Sequence, residues 1–288
     1  MYKLIAIDLD GTLLNSYGEI SNKNKKAIKY ALDKGVRVIL ASGRDTQTIK
    51  RISLELGIEG FLISGNGATV YDIKNEKSIY ENFINKSKAL EIIRICKENS
   101  IFFNIYTNMG IITESLNYNV KVFNNENNYR PNSKRTNIEV VSDIYSYIEK
   151  NDFDILKIII CDESKIIFNN IIDKLRKIKN VEILEVEHMS KKIIKSGTEE
   201  YLIEYFYTEV TNKNANKWNC IEYLSEKLDI NESEIMCIGD NMNDYEMIKH
   251  AGLGIAMKNS ALEKENVADY ITDDNNSDGV GNAIYKYI

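Results

Sequence analysis

Leu4-Ile5-Ala6-Ile7-Asp8-Leu9-Asp10-Gly11-Thr12 decides how the rest of the 288-residue chain is read. Four apolar residues that run into two carboxylates and a glycine describe a buried strand that stops abruptly at a polar site. Side chains two apart on an extended chain share a face, so Asp8 and Asp10 are expected to look into one small volume. That volume lies at the strand's carboxyl end, where open α/β sheets bind their ligands. At ~4 Å and an effective dielectric of ~20, two carboxylates repel by about 4 kcal/mol. A cation, a shared proton or a substrate has to offset that repulsion. Taken alone, D-x-D-G also fits an acidic strand-loop junction, and the remaining sequence must decide.

Downstream, the same pattern recurs. Ser21 caps a helix with Ala27, Ile28, Ala31 and Leu32 at helical spacing, ended by Gly35. A strand from Val36 to Ala41 empties into Ser42-Gly43-Arg44, a helix carrying Ile49, Ile52 and Leu56 stops at Gly57, and Phe61-Leu62-Ile63 leads into Ser64-Gly65-Asn66-Gly67-Ala68. Strand alternating with helix in this way predicts βαβ units and a parallel sheet. From about Asn82 the texture changes: a helix over 87–98, strands over 101–106 and 110–113, a loop-like Asn- and Tyr-rich stretch over 117–137, a strand from Asp154 to Cys161, a helix from Ser164 to Ile178 and a strand from Val181 to Val186. This reads as a second α/β unit built on an antiparallel sheet. The alternation is expected to resume near Tyr201. It continues with a helix from Lys217 to Leu228, the strand Ile235–Ile238 ending in Gly239-Asp240-Asn241-Met242-Asn243-Asp244, and a helix over 245–251. An apolar run from Leu253 to Met257, a helix over 261–269, the strand Tyr270-Ile271 and a helix over 279–287 follow. The first and last thirds thus read as one sheet domain that the middle third interrupts.

Composition narrows the function. A net charge of -6 argues against nucleic acid as the main partner. No apolar run approaches the ~20 residues of a spanning helix, and the start lacks a secretory apolar region, so a cytoplasmic protein with no membrane partner is expected. Cys96, Cys161, Cys220 and Cys237 lie in or beside apolar runs and form no C-x-x-C pair, which predicts reduced core thiols. His188 and His250 are too scattered for a histidine-based metal site, and His250 is placed to complement a helix dipole.

If the strands ending at Ile7 and Ile238 are neighbours, Asp8, Asp10, Asp240 and Asp244 converge. An all-oxygen site of that kind suits Mg²⁺. Phosphate follows the metal: Ser42 and Gly43 at a strand-to-helix turn offer a hydroxyl and backbone amides, and a lysine opening a helix offers a point charge. Lys213 and Lys217 both qualify for that last role, and spacing does not choose between them.

Asp8-Leu-Asp10-Gly11-Thr12, Ser42-Gly43-Arg44, Lys217 and Gly239-Asp240-Asn241-Met242-Asn243-Asp244 resemble, in order, the four motifs of the haloacid dehalogenase superfamily. Asn66-Gly67-Ala68, the position of the inserted unit and Asp278-Gly279-Val280 resemble its Cof-type phosphatases. The resemblance implies a Rossmann-like parallel-sheet core over 1–82 and 190–288, with an inserted α/β cap over 83–189 that sets specificity. It implies a Mg²⁺-dependent phosphatase acting on a small phosphorylated metabolite, as a monomer or weak homo-oligomer. Asp8 would be the nucleophile that forms an aspartyl-phosphate, and Asp10 the acid and base. The metal would be held by Asp8, the main-chain carbonyl of Asp10, Asp240 and, through water or as an orienting group, Asp244. Leu9 through its amide, Ser42, Gly43, Lys217 and Asn243 would grip the phosphoryl group. Arg44, Asn66 and Trp218 are further candidates on the substrate side. Trp218 stands where related sequences usually have glycine, and either shapes the leaving-group pocket or packs at a domain seam. The cap's contact surface is expected within 101–137, including Arg130, Lys134 and Arg135. A phosphosugar mutase and a non-catalytic metabolite-binding protein are the competing functions. Dependence on a bisphosphate activator would mark the first, and absence of turnover with Mg²⁺ bound the second.

Overall fold

The computed structural model describes residues 1–132, 135–184, 189–196, 199–262 and 266–288. The chain divides into two compact units, Met1–Glu81 with Asn216–Ile288, and Asn82–Ala215.

In the first unit, β1 (Leu4–Ile7) is followed by α1 (Asn22–Asp33), β2 (Arg37–Ala41), α2 (Thr46–Glu55), β3 (Phe61–Ser64), β4 (Thr69–Asp72) and β5 (Lys77–Glu81). Both helices begin where a short polar side chain binds an otherwise unpaired amide: Ser21 accepts from Asn24 N–H, and Asp45 from Thr48 N–H. The second unit contains α3 (Lys86–Glu98), β6 (Phe102–Thr107), β7 (Gly110–Thr113), α4 (Tyr118–Tyr129), β8 (Ile138–Val140), α5 (Ile144–Lys150), β9 (Ile155–Asp162), α6 (Lys165–Leu175), β10 (Val181–Ile183), β11 (Ser190–Ser196) and β12 (Glu199–Asn212). The chain then returns to the first unit with α7 (Lys217–Leu228), β13 (Ile235–Gly239), α8 (Tyr245–His250), β14 (Leu253–Met257), β15 (Tyr270–Thr272) and α9 (Gly279–Tyr287).

The first sheet runs β15-β14-β13-β1-β2-β3-β4-β5, parallel from β15 through β3 and closed by the antiparallel β4 and β5. β1 is flanked by β2 and β13, with Ile7 opposite Leu40 and Ile238. Its four residues are wholly buried because apolar clusters cover both faces, Ile5 and Ile7 packing on one side and Leu4 and Ala6 on the other. This is the Rossmann-like α/β core expected from the alternation. The second sheet runs β10-β12-β9-β6-β7-β8 with β11 paired to β12. It is antiparallel except between β7 and β8. Ile92, Ile93 and Cys96 of α3 and Phe168, Ile171 and Leu175 of α6 join Ile105, Ile158 and Ile160 in one apolar cluster of this unit.

Several expectations need correction. The return to the first unit comes at Asn216 rather than at 190, because β11 and β12 extend the second sheet through Asn212. The stretch 117–137 is not all loop: α4 forms although its Asn117 cap makes no side-chain bond and Val120 is its one buried residue. Tertiary contact compensates, with Tyr118 packed on Phe102 and Tyr205 and Asn119 bonded to Asn104. β4, β5, β8 and α5 were not anticipated. The helix begun at Ser164 ends at Leu175 and the strand begun at Val181 at Ile183. The described part of 261–269 holds no α-helix. Lys134, Val186 and His188 lie outside the described residues. All four cysteines are buried and free. Among the described residues no helix is long and apolar enough to cross a membrane.

Ile238 lies wholly buried in the central β13. Ile238→Ala is expected to cost about 2–5 kcal/mol of stability through lost transfer energy and the cavity left behind. Denaturant unfolding measures this, and an unchanged midpoint would contradict the packing described.

Candidate active site

β1 ends at Ile7, but its pairing carries one residue further, since Asp8 N–H donates to Ile238 C=O at 3.0 Å. The chain then turns, with Thr12 N–H on Leu9 C=O at 3.3 Å and Leu13 N–H on Asp8 C=O at 3.2 Å. Gly11 makes the turn at φ 86°, and a Cβ there would lie 2.3 Å from Asp240 Oδ2. This turn corrects the expectation that the Asp10 side chain joins the acid cluster, although its charge still acts on Asp8. Asp8 is buried, whereas the Asp10 side chain is 59% exposed and reaches Arg44, whose Nε donates to Oδ2 at 2.8 Å and Nη2 to Oδ1 at 2.6 Å. Alternation fails because the extended conformation stops before Asp10. Leu9 buries its side chain in the core, so any role in phosphate binding falls to its main chain.

Asp8, Asp240 and Asp244 do converge, each offering a carboxylate oxygen within 4.8 Å of the others. Parallel pairing of β1 with β13 brings the two distant motifs side by side. Asp244 is held hardest: Oδ2 accepts from the amides of Asp240 at 3.0 Å and Asn241 at 3.1 Å, while Oδ1 accepts from Lys217 Nζ at 2.6 Å. A Cβ on Gly239 would fall 2.5 Å from the Asp244 side chain, so glycine is required there. Lys217 opens α7, capped by Asn216, and its Nζ also donates to Asp8 Oδ1 at 2.6 Å. The tie between the two lysines is thereby resolved, for Lys213 lies in the second unit, where its amide donates to Asn180 C=O. Thr12, to which sequence reasoning gave no role, donates its hydroxyl to Asp240 Oδ1 at 2.9 Å.

The electrostatics follow from this crowding. Burial works to lower the Lys217 pKa, but the carboxylates of Asp244 and Asp8 outweigh it and hold the ammonium charged. Burial raises Asp8 well above the usual carboxylate range, and Asp244, Asp240 and Asp10 add to the rise while Lys217 opposes it. Asp240 is pushed up to about 6, first by burial and then by Asp244, against the hydroxyl of Thr12 and the charge of Lys217. One ammonium therefore does not neutralise three acids. With all of them ionised, two negative charges remain, and the donors are hard oxygens, which fits a divalent cation. Both oxygens of Asp244 are already engaged, so it suits an orienting role, and Asp8 and Asp240 are the carboxylates best placed to ligate.

The flanking loops complete the site. Ser42 is buried, its hydroxyl accepting from Arg44 N–H at 3.2 Å. A Cβ on Gly43 would meet Asn66 Oδ1 at 2.7 Å. Asn66, at φ 57°, accepts from Asn243 Nδ2 at 3.0 Å and so steadies a phosphate-site candidate. Trp218 does not present itself to a substrate: it is buried in a core cluster of the first unit and stacks on His250 with ring centroids 5.6 Å apart. His250, at the end of α8, also bonds Glu246.

Four loops at the carboxyl edge of a mainly parallel sheet, joining three acids to one buried ammonium, define a hydrolase site of the haloacid dehalogenase type. Residues 5–284 match the family of haloacid dehalogenase-like hydrolases, and the chain belongs to it. Among its relatives, 5-amino-6-(5-phospho-D-ribitylamino)uracil phosphatase YcsE of Bacillus subtilis (strain 168) is 33% identical over 99% of this chain and 96% of its own length. Phosphatase YwpJ of the same organism is 29% identical over 96% and 97%. A solved haloacid dehalogenase-like hydrolase from Bacteroides thetaiotaomicron superposes with a TM-score of 0.80 at 27% identity, covering 100% of both chains. The protein is an enzyme of this phosphatase family.

Removing Lys217 leaves Asp8 and Asp244 buried without their cation. Lys217→Ala is therefore expected to lower stability by roughly 3–5 kcal/mol, as broken buried ion pairs do, with part of the loss recovered at acidic pH. Thermal unfolding at two pH values tests this. For Asp240 the folded pKa of about 6 lies above the ordinary carboxylate value, so its contribution to stability is present in acid and lost as pH rises through 6. Cation binding needs the ionised form and works in the opposite direction. Titration of metal-stripped protein with Mg²⁺ is expected to give affinity about tenfold weaker for each pH unit below 6, with proton release. Affinity independent of pH from 5 to 7.5 would contradict the assignment of Asp240 as a ligand.

Proposed function

We propose that the protein is a Mg²⁺-dependent phosphatase that hydrolyses a small-molecule phosphomonoester, a sugar phosphate or similar metabolite, through an aspartyl-phosphate on Asp8. The observation that carries the reading is the Lys217 ammonium, wholly buried and 2.6 Å from both Asp8 and Asp244. With Oδ1 pinned, the Asp8 carboxylate has a fixed direction and presents its other oxygen for attack on phosphorus. Lys217 would also face the phosphoryl oxygens, together with the Ser42 hydroxyl, the amides of Leu9 and Gly43 and the side-chain amide of Asn243.

Asp8, Asp240 and the Asp10 carbonyl would hold Mg²⁺, with Asp244 as orienting group, and the bound ion would supply charge neutralisation for phosphate beside a negative nucleophile. Asp10 gives a proton to the leaving alkoxide and then takes one from the water that cleaves the aspartyl-phosphate, and its exposure supports access to that water. The second unit, Asn82–Ala215, is the cap that selects the substrate. The name of the 33% identical relative, a phosphatase of a phosphoribitylamino-uracil, supports a primary phosphate on a polyol-like chain.

A screen of phosphorylated metabolites with Mg²⁺, comparing wild type with Asp8→Asn, is the test. Turnover of at least one phosphomonoester is expected, lowered on the order of 10³-fold or more by the substitution. Acid quench of wild type with a ³²P-labelled substrate should trap label on protein, and Asp8→Asn should trap none. Activity that survives the substitution would remove Asp8 from its role.

A further inference from the structure

The loop after β2 brings Arg44 side-on to Asp10, so that one guanidinium edge engages both carboxylate oxygens, Nε to Oδ2 at 2.8 Å and Nη2 to Oδ1 at 2.6 Å. The backbone of Arg44 is itself fixed on both sides, its amide donating to Ser42 Oγ and its carbonyl accepting from Gly65 N–H at 3.1 Å. With side chains 27% and 59% exposed, the pair contributes little to stability. A two-bond fork does something else well: it fixes the plane of a carboxylate, which a lysine's point charge does not. Direction matters at this position. Asp10 lies inside the Leu9–Thr12 turn, just before the left-handed Gly11, with its side chain 59% exposed, so packing does not fix the direction of its carboxylate.

We propose that Arg44 is the positioning residue for Asp10, holding its carboxylate on the exposed side of the site, apart from the Asp8–Asp240–Asp244 group, where it meets the leaving oxygen. The inference rests on the reading of Asp10 as acid and base, and gives Arg44 a role through Asp10 rather than on the substrate. The proton delivered to the leaving alkoxide comes from Asp10, the P–O bond to that oxygen breaks, and Arg44 exchanges no proton.

Leaving-group dependence tests this. Glucose 6-phosphate has a poor alkoxide leaving group that needs a proton, whereas 2,4-dinitrophenyl phosphate releases a stable phenolate that needs none. At saturating substrate and Mg²⁺, Arg44→Ala is expected to slow first-turnover release of glucose by ~10–100-fold, within the range of a general acid, while dinitrophenolate release changes by less than about 3-fold. Arg44→Lys should not restore the rate, and Arg44→Ala should add no further loss in an Asp10→Asn background. Mg²⁺ affinity and the unfolding midpoint should match wild type. Equal losses on both probes, an effect confined to KM, rescue by lysine or additive losses would each overturn the proposal. Asp10→Asn alone separates the two layers. If it slows both probes alike, the acid-base reading fails and takes this inference with it. If it is selective and Arg44→Ala is not, only the role of Arg44 fails.

Discussion

A single ammonium, Lys217 Nζ, lies with no exposed surface between two carboxylates that are themselves almost wholly buried. Burying a charge costs several kcal/mol unless partners return it, and here the partners outnumber the charge. The surplus is negative, and it adds to burial, the larger cause, in raising Asp8 and Asp240. Without a cation, such a site relieves itself by taking up protons, which is the direction in which Asp8 and Asp240 are displaced. A divalent cation relieves the same surplus without protons and leaves Asp8 ionised. In the proposed reaction, affinity for metal and readiness of Asp8 as nucleophile would thus be one property of the site.

Much of that geometry is built by backbone, because the loops after β2, β3 and β13 are short. The loop after β3 presses on the start of α7: Gly67, at φ 102°, leaves no room for a side chain, since a Cβ would lie 2.1 Å from Asn216 C=O. Cys220 Sγ donates to Gly67 C=O on the same seam. Asn216 in turn caps α7 through Asn219 N–H, so the loop, the cap and the position of Lys217 are mechanically linked. On the other side the amides of Asp240 and Asn241 hold Asp244. Asn66-Gly67-Ala68 therefore acts in part as scaffold, with Asn66 bracing Asn243 and Gly67 admitting α7.

The core was legible in the sequence wherever one physical signal sufficed. β1, β2, β3 and β13 are short apolar runs ending in polar loops, α1 begins at Ser21, whose side chain accepts the expected amide bond, and α7 begins at Lys217 as its spacing predicts. Convergence of Asp8 with Asp240 followed from two strands ending in acids, needing only that they pair. What escaped depended on long-range contact. α4 has too few apolar positions to announce itself. β12 spreads aromatic and polar residues over both faces, which blurred its alternation and misplaced the return to the first unit. Between Lys213 and Lys217, four residues apart, the choice was made by the fold, which assigns one to each unit. Asp10 escaped for a different reason: alternation of side chains holds to the end of the strand at Ile7, and Asp10 lies three residues past it, inside a turn.

The departure of Asp10 from its neighbour is what makes two aspartates more useful than one. In the proposed reaction the nucleophile must be fixed and shielded, and Asp8, its candidate, is buried against an ammonium. A group that passes protons to an alkoxide and from water must be reachable by both, and burial beside the same surplus of negative charge would keep it protonated through the second step. The Leu9–Thr12 turn would separate these demands over two residues, with one carboxylate inside the charged cluster and the other exposed at its rim. Any residue that held both in the cluster would add a fourth acid to a site whose excess charge already equals that of one divalent cation.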